Sequence, residues 1–121
     1  MSESARWRER IVEMWRVTQR LDRALLRGHG ITLSEFLALS ELDRAGTRLR
    51  AKDLAEAIAL SPSSVSRLLD RLERGGLVSR KADLRDRRAA FVRITDPGAR
   101  TVRAAAETFG ARVDTPPAAQ H

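Results

Sequence analysis

A chain of 121 residues carrying a formal charge of +7 is one domain's worth of protein. At this size folding removes only about two-thirds of the unfolded surface from water, so a single small core is expected. The 42% apolar and 32% charged content argues against disorder, the lack of cysteine excludes disulfides, thiolate metal sites and cysteine-based redox sensing, and no leader-like or membrane-spanning apolar run is present, so a soluble, cytoplasmic protein with no membrane partner is expected.

Residues 5 to 27 carry Trp7, Ile11, Met14, Thr18, Leu21 and Leu25 at alternating intervals of four and three. That spacing predicts an amphipathic helix with a narrow, coiled-coil-like seam that wants a partner helix, closed by Gly28-His29-Gly30. Ser34 followed by Glu35, Phe36, Leu37, Leu39 and Leu42, with a stop at Gly46, predicts a second helix of about ten residues. After a short extended piece, Arg48-Leu49-Arg50, the segment Lys52 to Leu60 places Leu54, Ala55, Ile58 and Ala59 on one face and predicts a third helix of about two turns.

Ser61-Pro62 starts a fourth helix with a capping hydroxyl and a proline at the first helical position, where the missing N–H costs nothing. Val65, Leu68, Leu69 and Leu72 form its apolar stripe, and Gly75-Gly76 ends it. Leu77 to Lys81 and Ala89 to Thr95 have the β-branched content of two strands, which leaves Asp83-Leu84-Arg85-Asp86-Arg87-Arg88 as the loop between them. Asp96-Pro97-Gly98 opens a last helix with Val102, Ala105, Ala106, Phe109 and Val113 on one side, stopped by Thr115-Pro116-Pro117 before a frayed tail. The expected fold is mainly α with a small β-hairpin wing, the order of a winged helix-turn-helix.

In such a motif the fourth helix would lie in the major groove. Opposite its leucine stripe stand Ser63, Arg67, Asp70 and Arg74, flanked by Ser64, Ser66 and Arg71. Small hydroxyls allow close approach, helix N-terminal N–H groups favour phosphate, and an arginine such as Arg67 can read guanine through two hydrogen bonds. Ser61 alone reads better as a cap. A charged run is most often a solvated face, but between two strands behind a candidate recognition helix it fits a wing whose arginines reach phosphate or the minor groove. Asp83 and Asp86 fit acceptors that hold the loop and orient its arginines. From Ser61 to Thr95 nine basic residues face four acidic ones, so +5 of the total +7 lies there. Nearly all the cations are arginine, Lys52 and Lys81 being the exceptions, which also leans towards nucleic acid.

The run from Leu60 to Val78, the Asp83, Arg85, Asp86, Arg88 pattern with Leu84 where proline is common, and Ile94-Thr95 with Gly98 together resemble the MarR family of bacterial transcription regulators. The likeness covers residues 34 to 103. It implies a repressor that binds a pseudo-palindromic DNA operator as a homodimer and is released by a small anionic or phenolic effector. It also implies a division into a dimerisation helix (1–30), a winged helix-turn-helix (31–96) and a C-terminal helix with its tail (97–121), all in one structural domain. By position Ser63, Ser64, Ser66 and Arg67 would lie in the major groove and Arg85 and Arg87 at the wing tip, with Arg88 tied to an aspartate; Ser61 and Arg71 complete the candidate set. The family's last dimerisation helix has no evident counterpart here, because Pro116-Pro117 follow the fifth helix.

No cofactor or metal is expected: His29 sits alone between two glycines, and Trp7, Trp15 and Phe36 at helical spacing read as packing residues more readily than as a pocket. Without cysteine, with only His29 and the terminal His121 and no glycine-rich phosphate loop, nothing suggests an enzyme. The alternative reading is a shortened interaction protein that pairs with another regulator without reading DNA itself.

Overall fold

The chain runs α1 (Glu3–His29), α2 (Leu33–Ala45), β1 (Leu49–Arg50), α3 (Ala51–Ala57), α4 (Pro62–Arg74), β2 (Val78–Asp83), β3 (Asp86–Ile94) and α5 (Asp96–Val113) in a computed structural model that describes residues 1–114, with side chains left out at residues 87–89. The expected stop at Thr115-Pro116-Pro117 and the tail lie outside the described residues. The order is that of a winged helix-turn-helix, mainly α with a three-stranded antiparallel sheet ordered β1-β3-β2.

Four of the five helices start where a side-chain oxygen meets an orphan amide, α3 being the exception. Ser2 caps α1, Ser61 caps α4 and Thr95 caps α5. The second helix begins earlier than its sequence suggested. Thr32, not Ser34, is the cap: its hydroxyl accepts from the Glu35 N–H at 3.1 Å while the Glu35 carboxylate accepts from the Thr32 N–H at 2.9 Å. This reciprocal capping box satisfies two donors at once and outcompetes a lone serine, so α2 spans 13 residues. The third helix stops at Ala57, short of the expected Leu60, because Ala59 turns into the left-handed region at φ 56° and the Leu60 N–H reaches back to the Ala55 carbonyl.

The strands also differ from expectation. Most of the charged run lies in β2 and β3, and the turn between them is only Leu84-Arg85. Asp83 accepts the Arg85 N–H at 2.9 Å, which closes the turn locally and lets the ladder continue almost to the tip. Register pairs Val78 with Ile94, Arg80 with Val92 and Lys81 with Phe91, while β1 adds Leu49 opposite Val92 and Arg50 opposite Phe91. The alternation puts Val78, Arg80, Val92 and Leu49 towards the helices and Ser79, Lys81, Phe91, Arg93 and Arg50 towards solvent.

The core unites Leu25, Phe36, Leu39, Leu42, Leu54, Leu68, Leu69, Leu72, Val92 and Val102 with their buried neighbours. Burying each such leucine contributes on the order of 1.5 to 3 kcal/mol. Joints from α1 and α5 tie the outer helices to α2. Leu33 donates its N–H to Asp22 at 2.7 Å, Arg103 pairs with Asp43 at 2.9 Å, and the rings of Phe36 and Phe109 lie 4.9 Å apart. His29 shares a 2.7 Å hydrogen bond with Thr108, so α1 and α5 also meet directly. The long seam of α1 engages this core only through its C-terminal part, Leu21, Ala24 and Leu25, whereas Trp7, Ile11, Met14 and Trp15 are exposed. On α5, Val102 and Ala105 are buried, but Ala106 and Val113, expected on the same face, are exposed.

Two backbone positions set opposite expectations. A Cβ on Gly98 would overlap the Leu77 carbonyl and come within 2.9 Å of Ile94, at the junction where Thr95 caps α5 and donates to the Gly76 carbonyl. Gly98→Ala is therefore expected to destabilise the fold by about 1 to 3 kcal/mol in urea unfolding. Ala59→Gly, by contrast, relieves a left-handed alanine and should stabilise it by about 0.5 to 1 kcal/mol.

Candidate nucleic-acid interface

The leucine stripe of α4 is fully committed to the core: Val65, Leu68, Leu69 and Leu72 are each at most 2% exposed. Helical periodicity then fixes what the other face offers, since residues about 180° away must point to solvent. Ser63, Ser66, Arg67, Arg71 and Arg74 are exposed there. The cap organises the first turn. Ser61 accepts the Ser64 N–H at 3.2 Å, donates to the Ser64 hydroxyl at 2.9 Å and lies 3.3 Å from that of Ser63. Ser61 and Ser64 thus satisfy one another, and Ser64 is half-buried, while Ser66 and Arg67 make no bond to another described side chain.

Arg67 has no carboxylate within ion-pair distance among the described residues, and neither has Arg85 at the hairpin tip. Beside Arg85 stands Leu84, which is 100% exposed. Asp83, expected to hold the loop, lies at the base of the turn. It is buried, holds the turn through the Arg85 amide and pairs with Arg50 of β1 at 3.3 Å. The wing is thereby fastened to the first strand. Asp86 sits opposite Asp83 in the ladder. The side chains of Arg87 and Arg88 lie outside the described residues. Between α4 and the sheet runs a cleft of about 420 Å³ bordered by Lys52, Pro62, Ser66, Arg80 and Ala90, so helix and wing form two separate prongs.

A residue that sequence reasoning passed over joins these prongs. Arg80 of β2 points inward and donates to Asp70 at 2.6 Å and to Glu73 at 2.9 and 3.2 Å, while its own backbone N–H donates to Glu73 at 3.2 Å. Asp70, expected on the groove-facing side, is drawn to the sheet instead. The available signal was the i, i+3 pair of carboxylates on α4 followed by an arginine whose strand parity matches the buried Val78. Its hydrogen bonds to Glu73 and Asp70 hold the Arg80 guanidinium above its ordinary value, and those from Arg80 hold the Glu73 carboxyl below its own, against a smaller opposing effect of burial in each case.

The MarR family model matches residues 29–89, half of the chain, from the end of α1 through the wing. The chain belongs to the MarR family. Among curated MarR-type relatives, the HTH-type transcriptional repressor MdtR of Bacillus subtilis is 33% identical over 69 residues, 57% of this chain and 44% of that protein. The chain spans about half the length of the curated relatives it matches. Solved structures extend the likeness over nearly the whole fold. AbsC, a MarR family transcriptional regulator from Streptomyces coelicolor, superposes with a TM-score of 0.81 at 30% identity over 93% of this chain and 78% of its own. Sco3205, a MarR family regulator from the same organism solved in complex with DNA, gives 0.79 at 28% identity over 98% and 78%. Among the described residues no helix is long and apolar enough to cross a membrane.

A carboxylate held below its unfolded value stabilises the fold above that value and stops doing so as acid protonates it. The raised value of Arg80 acts in the opposite sense, its contribution being lost only at the far alkaline end. Glu73→Gln is therefore expected to lower the melting temperature near neutrality, with the gap to the parent protein closing below about pH 4.5. Calorimetric scans from pH 3 to 7 check this, and a gap independent of pH would remove the ion-pair explanation.

Proposed function

We propose that the protein is a sequence-specific DNA-binding transcriptional regulator, a cytoplasmic repressor and not an enzyme, that binds a pseudo-palindromic operator as a homodimer. The observation that carries this is the exposed Ser63, Ser66, Arg67 face of α4, held outward by its buried leucines and set beside an unpaired arginine on a two-residue wing tip. The DNA-bound structure of Sco3205, a relative of the same fold, supports it. In this reading Ser63, Ser64, Ser66 and Arg67 lie in the major groove, Arg67 reading a guanine. Ser61 and Arg71 contact phosphate, and Arg85, with Arg87, reaches the backbone or the minor groove, while Arg88, tied to an aspartate, supports them from behind the tip. Asp83 keeps the tip in place, with Asp86 beside it. Release by a small anionic or phenolic effector belongs to the same proposal.

Residues 1–30 supply the dimerisation arm, 31–96 the reading unit and 97–121 the closing helix and tail. An α1 of 27 residues is about 40 Å long, and none of its residues before Leu21 is buried. Trp7, Ile11, Met14 and Trp15 give this projecting arm an apolar face that a second copy would cover. Two reading units would then address half-sites about 34 to 36 Å apart.

Selection from random duplexes followed by anisotropy titration tests the reading. Arg67→Ala is expected to lose about 1 to 3 kcal/mol of discrimination at one base pair of the selected site, whereas Arg85→Ala should weaken all sequences alike and reduce the salt slope by about one. Unchanged affinity and slope in both variants would reject the groove assignment. Trp15→Glu should shift sedimentation from two chains to one and weaken the full palindrome while sparing a single half-site.

A further inference from the structure

The solvent face of the sheet carries a second concentration of positive charge that the helix and wing tip do not use. Strand pairing aligns Arg50, Phe91 and Lys81 in one row across the three strands, with Ser79 and Arg93 in the next. Arg48, just before β1, joins them. Its guanidinium lies 4.1 Å from the centre of the half-buried Phe91 ring, and that of Arg50 lies 5.2 Å from it. The ring thus acts as a platform that holds two guanidinium groups over an aromatic face and restricts their motion. Arg50 is also fixed by Asp83. Among the described residues Arg48, Lys81 and Arg93 have no carboxylate within ion-pair distance, so four cations face a single buried acid. Rows two residues apart along a strand are separated by about 7 Å and neighbouring strands by about 4.8 Å, which spreads these charges as a flat grid and not as a pocket. A shallow depression lined by Arg48, Ser79, Lys81, Phe91 and Arg93 runs between them.

We propose that this outer face of the sheet is a second phosphate-binding surface, one that engages the backbone of duplex DNA flanking the groove-bound site. The inference rests on the DNA-reading function proposed above and adds a partner surface to it. Flat, preoriented cations with no sequence-reading geometry suit phosphate contacts, which add affinity and salt dependence but no base preference. The face belongs to the same sheet as the wing. A wing tip at the minor groove therefore turns this surface towards the neighbouring backbone, and not towards the bases under α4.

The test uses the full chain and two duplexes that share one selected site: a short one ending at the site, and a long one extended by ten arbitrary base pairs on each side. Lys81→Ala with Arg93→Ala is expected to leave affinity for the short duplex unchanged and to reduce affinity for the long duplex. Losing two phosphate contacts lowers the salt slope by about 1.8. Raising salt from 50 to 200 mM should then weaken the parent protein on the long duplex about tenfold more than it weakens the double variant. Lys81→Arg with Arg93→Lys keeps both charges and should retain the parent's preference for the long duplex, which guards against a folding effect. Equal losses on both duplexes, or no length preference in the parent protein, would overturn the proposal. So would a length preference that survives the double alanine change, which would assign the patch to an acidic protein partner instead. Failure of the parent protein to select any site from random DNA would count against the proposed function itself, a result distinct from all of these.

Discussion

Burial of one helical stripe governs how everything else in this molecule faces the outside. Val65, Leu68, Leu69 and Leu72 are sealed into the core, so α4 has no rotational freedom about its axis, and the serines and arginine opposite are presented at a fixed angle. Rotating the helix by one residue, about 100°, would expose leucine and bury Ser66 or Arg67, at a cost of several kcal/mol for each group misplaced. The cap at Ser61 sets where the helix begins, and the left-handed turn at Ala59 sets how it leaves α3. Together with the stripe these fix position, direction and phase of a single exposed face.

The arginines divide into those that hold the protein together and those left for a partner. Arg80 bridges α4 to β2 through Asp70 and Glu73, Arg50 ties β1 to the hairpin through Asp83, and Arg103 joins α5 to α2 through Asp43. Each of these pairs is at least partly solvated, and pairs of that kind contribute modestly one by one. Their value is positional: the Arg80 and Arg50 pairs converge on the hairpin from its two sides, so the wing is fixed relative to α4 although only a two-residue turn carries its tip. With those carboxylates already engaged, Arg67, Arg85 and the Arg48, Lys81 and Arg93 cations of the outer sheet face keep their charge for an external anion.

What the sequence made legible follows from how local the deciding physics is. Ser61-Pro62 as a helix start, the stripe that follows, and Gly75-Gly76 as its end depend on residues within a few positions of one another, and all three are found as expected. The start of α2 is less legible because two hydroxyls, Thr32 and Ser34, compete, and only the reciprocal bond from Glu35 decides between them. The turn at the wing tip is shorter than its charge suggests, because an antiparallel ladder with a solvated outer face accepts charged residues readily once Asp83 closes the turn. Least legible were the Arg80 bridge and the basic outer face. Both depend on strand register, which determines whether Arg80 or Lys81 turns inward, and register is fixed by pairing with β3 and β1 and not by the residues of β2 alone.

The same register links the two surfaces argued for nucleic acid. Val92 is buried under the helices, and its neighbours Phe91 and Arg93 must therefore face away from them. The burial that anchors the sheet to α4 thus obliges the next residues along β3 to form an outward platform. Arginine and lysine around that platform do not compete with core packing, so the core leaves these positions open to charge. A small domain with a single core gains a second binding face in this way, without a second domain to carry it.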